Sequence, residues 1–191
     1  NDYFDVSIAV FNTEFEDLPY QVSRVSDSGF DTANLVVEQT SRGIELDTTF
    51  NYNNFSMMTS IGYMDVDVEE QDGFSPVAPL TPDLTLAIGP SYTFDLESGA
   101  SIRVRADYSY RSDMYGEPSS LAARMTELES RELVNFDVAY TPANEGYTLA
   151  LYGRNVFDER YDNARLNTGD YILQILSNDA SEFGVRFSTE F

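Results

Sequence analysis

Ser181-Glu182-Phe183-Gly184-Val185-Arg186-Phe187-Ser188-Thr189-Glu190-Phe191 ends the chain. Side chains alternate along an extended segment, so Phe183, Val185, Phe187, Thr189 and Phe191 share one face while Gly184, Arg186, Ser188 and Glu190 share the other. One oily surface, one wet surface and a terminal aromatic fit the closing strand of a transmembrane β-barrel. A soluble β-sandwich can also end on an amphipathic strand, so the remaining segments carry the choice.

Seven more segments repeat the pattern. Phe4, Val6, Ile8 and Val10 alternate with Asp5, Ser7 and Ala9, and Ile44, Leu46, Thr48, Phe50 and Tyr52 alternate with Glu45, Asp47, Thr49 and Asn51. After an Asn53-Asn54 turn, Phe55, Met57, Thr59, Ile61 and Tyr63 make a third strand. Leu84, Leu86, Ile88, Tyr92 and Phe94 make a fourth, interrupted by Pro90, which lacks a ladder donor. The fifth has the cleanest alternation: Ile102, Val104, Ala106, Tyr108 and Tyr110 against Arg103, Arg105, Asp107, Ser109 and Arg111. Val134 to Tyr140 and Tyr147 to Leu151 supply the sixth and seventh, and Phe183 to Phe191 the eighth.

The links between these strands alternate in length. Short ones fall at Asn53-Asn54, Asp95 to Ala100 and Pro142 to Gly146; long ones run from about Asp17 to Leu35, Asp67 to Pro82, Ser112 to Ser130 and Asp158 to Ser181. Outer-membrane barrels segregate tight periplasmic turns from long extracellular loops in this way, which puts the C-terminus on the periplasmic side. Tyr52, Phe55, Tyr92, Phe94, Tyr140 and Tyr147 gather beside the short turns, where an interfacial aromatic girdle belongs.

Composition removes other classes. The chain holds 191 residues with 33 acidic side chains against 11 basic ones, all arginine, for a formal charge of −22. Such a charge repels phosphate backbones, so nucleic acid is not an expected partner. There is no Cys and no His, hence no thiolate nucleophile, imidazole base or zinc site of the usual ligands. No catalytic residue, cofactor or defined metal site is expected, and the protein reads as a non-enzyme. No run of apolar residues is long enough for a membrane-spanning helix, which leaves a barrel open because its strands need only about ten alternating residues.

Four segments resemble the C-terminal part of the barrel of a TonB-dependent outer-membrane receptor. They are Thr40-Ser41-Arg42-Gly43-Ile44-Glu45-Leu46, the strand from Pro82 to Phe94, Gly153-Arg154-Asn155-Val156-Phe157-Asp158-Glu159-Arg160-Tyr161, and Phe183 to Phe191. The third is similar to an Asn-Leu-Phe-Asp-x-x-Tyr signature, with Val156 in place of the usual Leu. The resemblance implies a barrel of about twenty-two strands around a plug domain. Residues 1–191 would be its C-terminal segment without the plug. It also implies a receptor in the outer membrane that takes up a scarce nutrient such as a ferric siderophore. Its partners would be the plug, the other barrel strands, the TonB energy-coupling complex through an N-terminal part, a small nutrient ligand and outer-membrane lipid. The strand pattern begins abruptly at Tyr3 without an export segment, which favours a fragment. The rival is a complete eight-stranded barrel with a structural or adhesive role.

Within this picture Arg103, Arg105, Asp107, Arg111, Asp137, Arg154 and Arg186 are expected to face the lumen as ion-paired networks, with Asp107 or Asp137 in reach of Arg103 and Arg105. The motif residues Arg42, Gly43, Glu45, Asn155, Phe157, Asp158, Tyr161 and Phe191 are expected to be structural, with Asn155 and Asp158 hydrogen-bonding where a strand enters its long loop. Asp65, Asp67, Glu69, Glu70 and Asp72 crowd one acidic loop. They form a solvated face or, alternatively, collect divalent cations through oxygen ligands.

Overall fold

A computed structural model describes residues 3–26, 29–70, 76–118, 125–167, 171–177 and 179–189, with the backbone alone for 23–26 and 29–32. The described residues contain ten strands and no helix: β1 (Phe4–Ser26), β2 (Gly29–Tyr52), β3 (Phe55–Val68), β4 (Leu84–Asp95), β5 (Ser101–Arg111), β6 (Arg131–Thr141), β7 (Thr148–Arg154), β8 (Asp162–Asn167), β9 (Ile172–Leu176) and β10 (Glu182–Ser188). Eight form one sheet in the order β1-β2-β3-β4-β5-β6-β7-β10, and β8-β9 form a separate hairpin. Every pairing between these strands is antiparallel. The sheet is open: among the described residues β1 and β10 stand at opposite ends of the strand order.

Register carries the two-faced pattern across the whole sheet. Ile8 lies opposite Leu46, Leu46 opposite Ile61, Ile61 opposite Leu86 and Leu86 opposite Tyr110, all on one face. On the other face Arg105 lies opposite Asp137 and Asp137 opposite Tyr152. A slip of one residue would move every apolar side chain to the polar side, so the alternation specifies this pairing. Pro90 fits because the loss falls on one ladder only. It pairs with Met57 of β3, while the β4–β5 register passes from Ile88 and Tyr108 to Ser91 and Arg105 without pairing Gly89 or Pro90.

Three glycines sit directly opposite aromatic residues that lie over them: Gly43 under Phe11, Gly153 under Phe136 and Gly184 under Tyr152. A Cβ on Gly43 would come within 2.5 Å of the Phe11 ring, so the aromatic occupies the space a side chain would need. Such pairs cover bare backbone with ring surface and pin the register.

One of the expected long links is instead largely strand, and another contains a hairpin. The segment from Asp17 to Leu35 belongs to a β1–β2 hairpin whose pairing runs to Ser26 and Gly29. The register shifts between Phe15 and Leu18, and Asp17 takes φ 56°, so one extra residue in β1 reverses the phase of alternation. Below the bulge odd residues of β1 share the polar face; above it Leu18, Tyr20 and Val22 do. A pattern read with one fixed phase therefore ends at the bulge. The segment from Asp158 to Ser181 contains the β8–β9 hairpin. β3 likewise continues to Val68, past the expected strand end at Tyr63.

The short turns are tight. Asn53 takes φ 50° and Gly99 φ 81°, conformations that Asn and Gly tolerate best. Asn54 Nδ2 donates to the Thr93 carbonyl at 2.7 Å and to Asp95 at 2.6 Å, fastening the β2–β3 turn to β4. Aromatic pairs flank this end: Tyr3 with Tyr52, Phe4 with Phe50, Phe50 with Phe55, Tyr92 with Phe94 and Tyr147 with Phe187.

Candidate functional site

Sites on a sheet wall are built from side chains that one face brings together across strands. Arg103, Arg105, Asp107 and Arg111 of β5 share a face with Asp137 and Arg131 of β6, Tyr152 and Arg154 of β7, and Arg186 of β10. Arg105 binds Asp107, two residues along the same strand, with Nε at 2.9 and 3.0 Å and Nη2 at 2.5 Å from its oxygens. This fork lies over Gly89, where a Cβ would meet the Asp107 carboxylate at 3.0 Å and the Arg105 guanidinium at 3.1 Å. A side chain at Gly89 would press on the ends of both residues, which would have to give by a few tenths of an ångström to admit it.

A second network bridges four strands. In one cross-strand row Arg103, Ala139, Ala150 and Arg186 follow one another. The two alanines are buried and leave room for both arginine arms to reach Asp137 in the next row. Arg186 Nη2 donates to Asp137 Oδ2 at 2.7 Å, and Arg103 Nη2 stands 3.8 Å from Oδ1, an ion-pair distance too long for a hydrogen bond. Arg154 and Arg186 both lie over the Tyr152 ring, at 5.5 and 5.9 Å from its centroid, and Tyr152 donates its hydroxyl to Glu182 at 2.7 Å.

At the long-loop end Arg111 stands directly opposite Arg131. Arg111 Nη2 donates to the Glu129 carbonyl at 2.7 Å, while Arg131 stacks on Tyr161 at 4.6 Å. Arg131, Tyr152 and Glu182 escape a reading of sequence alone. The first lies at a strand start beyond the clear alternation, and the others gain their roles from register.

The motif Asn155-Val156-Phe157-Asp158 forms a knot that closes the base of the loop between β7 and β10. Asn155 is buried and left-handed, φ 43°, and its backbone N–H donates to Asn135 Oδ1 at 2.9 Å. Its side-chain amide donates to the carbonyls of Glu159, at 3.0 Å, and Asp179, and its oxygen accepts from the Glu159 N–H at 2.8 Å. Asp158, also left-handed at φ 53°, accepts the Ser181 N–H at 3.0 Å and Arg160 Nη2 at 2.9 Å. These two donors, the backbone bond foremost, hold its carboxyl below the usual range. Tyr161 donates to Asp179 at 2.5 Å. Phe157 is exposed.

Arg42 and Glu45 stand on opposite faces of β2: Arg42 Nε donates to Asn12 at 3.1 Å on the apolar face, and Glu45 shares the polar one. Phe191 and Asp72 lie outside the described residues. Among the described residues no three of the carboxylates form a group arranged to hold a metal ion. Asp65 and Asp67 project from one face of β3, while Glu69 and Glu70 border a cavity of about 280 Å³ with Asp17 and Glu38.

A family model described as TonB-dependent receptor-like β-barrel matches residues 1–156. Among solved structures, the ferric yersiniabactin uptake receptor FyuA of Yersinia pestis superposes on the entire chain with a TM-score of 0.77 and 14% identity. The ferric-catecholate import receptor Fiu of E. coli K12, in its closed form, aligns with 98% of the chain at a TM-score of 0.71 and 17% identity, and the ferric preacinetobactin receptor BauA of Acinetobacter baumannii with 99% at 0.69 and 15%. The chain spans only 28%, 25% and 27% of those three proteins. No curated protein sequence matches.

Proposed function

The chain belongs to the TonB-dependent receptor β-barrel family, and on that premise we propose that it forms the C-terminal stretch of the barrel wall of an outer-membrane receptor. That receptor binds a scarce nutrient, such as a ferric siderophore, at the cell surface and moves it inward with energy delivered through TonB. Its plug domain and remaining strands complete the barrel, the short turns lie in the periplasm with the C-terminus, and the long loops face outward.

The observation that carries this reading is the exposure of the apolar face. On strands with a neighbour on both sides, Ile44 is 47%, Tyr63 52%, Val104 39% and Leu151 53% exposed. A water-soluble fold would bury such a face. A bilayer accepts it, and the run from Ile44 to Tyr52 is close to the roughly nine residues a tilted strand needs to cross. The apolar stripe ends at Asn12, Arg42 and Asp65, aligned across β1, β2 and β3, where a polar boundary belongs. Ion pairs on the opposite face then line a water-filled lumen, without the cost of burying charge in lipid.

The test uses the complete receptor in its native host. Deleting its gene is expected to abolish uptake of a ⁵⁵Fe-loaded siderophore, and loss of TonB to abolish it equally. Uptake untouched by either deletion across ferric hydroxamate, catecholate and carboxylate siderophores would overturn iron transport. Retention of the protein in the soluble fraction after cell lysis would overturn the membrane reading itself.

A further inference from the structure

We infer that the long-loop end of the polar face holds a binding site for a small ligand bearing a carboxylate or phosphate, with Arg111 and Arg131 as its cationic arms. The inference rests on the reading that this face borders water. The two arginines are directly opposite across β5 and β6, and like charges in such a pair repel. Arg103, Arg105, Arg160, Arg165 and Arg186 each have a carboxylate within 4.0 Å, whereas among the described residues Arg42, Arg111, Arg131 and Arg154 have none. Of these four, Arg42 stands opposite Asp65 and Arg154 opposite Glu182, while Arg111 and Arg131 stand opposite each other and opposite no carboxylate. Scarcity does not explain the lack, because the chain has 33 carboxylate side chains for 11 arginines. Asp113 is within electrostatic range of Arg111 but does not pair with it.

Both arms are held in place before any ligand arrives. Arg111 is tethered to the Glu129 carbonyl, and its Nε is buried with no hydrogen-bond partner among the described residues. Arg131 is braced against the Tyr161 ring, which is itself tied to Asp179. Between the arms and β3 lies an open depression of about 430 Å³, whose hydroxyl-bearing Ser60, Thr85 and Ser109 share the lining with the apolar Leu80, Pro82 and Met114. That volume is within the usual range for small-ligand sites, and hydroxyls beside two planar guanidinium forks match the acceptor geometry of carboxylate or phosphate. An anion seated there would relieve the Arg–Arg repulsion and supply the missing counter-charge. In a protein of net charge −22, this is where, among the described residues, two arginines without a carboxylate partner stand opposite each other.

Isothermal titration of the complete receptor in detergent, at low ionic strength, uses citrate and inorganic phosphate as the two probes. At least one is expected to bind, and the double variant Arg111→Gln/Arg131→Gln to weaken it by about tenfold or more. The Arg111→Lys/Arg131→Lys variant, which keeps charge but loses the forks, should recover only part of that loss. Arg42→Gln, on the opposite face, should change nothing. Absence of binding by both anions, or equal binding by the double Gln variant with folded gel mobility retained, overturns the site. Reaction of Ser109→Cys with a membrane-impermeant maleimide separates the two failures. A reactive cysteine without anion binding refutes the site alone, while an unreactive one refutes the water-facing reading and the site together.

Discussion

The wall and the long-loop end place the same residue types in opposite surroundings. In the wall Ile8 and Val10 project their side chains outward; above the bulge Val22 is 1% and Val37 2% exposed. Tyr20, Val22, Leu35 and Val37 form a buried cluster with Leu18, Ala33 and Val68 packed against it. Burial pushes the Tyr20 hydroxyl above its ordinary pKa, and that hydroxyl donates to Gln39, which in turn donates to Ser41 at 3.1 Å. The difference teaches where the hydrophobic driving force comes from. On the proposed reading lipid receives the apolar face of the wall, so the wall needs no protein core. The loop end stands in water and has to build one.

The other long connections follow the same principle. Met114 and Leu128 exchange backbone hydrogen bonds at 2.9 and 3.0 Å, with Leu128 fully buried. Arg165 of β8 donates to the Glu127 carbonyl at 2.9 Å and to Asp162 at 2.5 Å, joining the hairpin to the loop before β6. Segments that link strands in sequence thus become a packed layer of their own.

The largest effect expected from breaking this contrast is a charge on the lipid side of the wall. Ile88→Arg should destabilise the folded barrel by about 2–4 kcal/mol, whereas Ala87→Arg, one residue away on the polar face, should cost less than half as much. Urea unfolding in lipid vesicles, followed by gel mobility, measures both. Equal losses would mean that the faces are assigned wrongly.

Next comes a cavity in the core of the loop end. Leu35→Ala should cost about 2 kcal/mol or more, locally, because a buried side chain leaves an unfilled space. Amide hydrogen exchange should rise at residues 18–22 and 33–37 and stay unchanged in β5 and β6. A uniform rise across the sheet would show that the two regions unfold as one unit.

A smaller effect is expected at the knot. Asn155→Gly keeps the left-handed backbone but removes the side-chain bonds to Glu159 and Asp179, so it should loosen the loop base by about 1–2 kcal/mol. Limited proteolysis between β7 and β10 reads this directly, and unchanged cleavage would deny the knot its role.

The smallest is a pH effect at the same place. The folded-state pKa of Asp158 is depressed. Its contribution is therefore fully present above the ordinary value of about 3.9 and is lost as pH falls through the lower folded value. Exchange at Ser181, whose N–H it accepts, should quicken below about pH 4, and Asp158→Asn should remove that dependence. A Ser181 profile that is flat in the parent protein, once intrinsic exchange is corrected, would place the stabilisation elsewhere.

Alternation along the chain determined the all-β class, the eight strands of the main sheet and which side chains share a face, because side-chain direction in a strand follows from position alone. Ile102 to Arg111 is read correctly from sequence for this reason, and so is the common face of Arg103, Arg105 and Asp107. The hydrogen bonding of Asn155 and Asp158 at the loop base was equally legible, since both are types that tolerate left-handed backbone and bond to their neighbours. Tertiary structure decided everything that depends on register or phase. The bulge after Phe15 reversed the alternation and hid a hairpin inside an apparent loop. The pairing of Arg111 with Arg131, the reach of both Arg103 and Arg186 to Asp137 across two alanines, and the seating of Arg105 and Asp107 over Gly89 depend on which strand lies beside which, and at what offset. A period of two fixes a direction within one strand, but a contact between strands needs a second coordinate that only the folded sheet supplies.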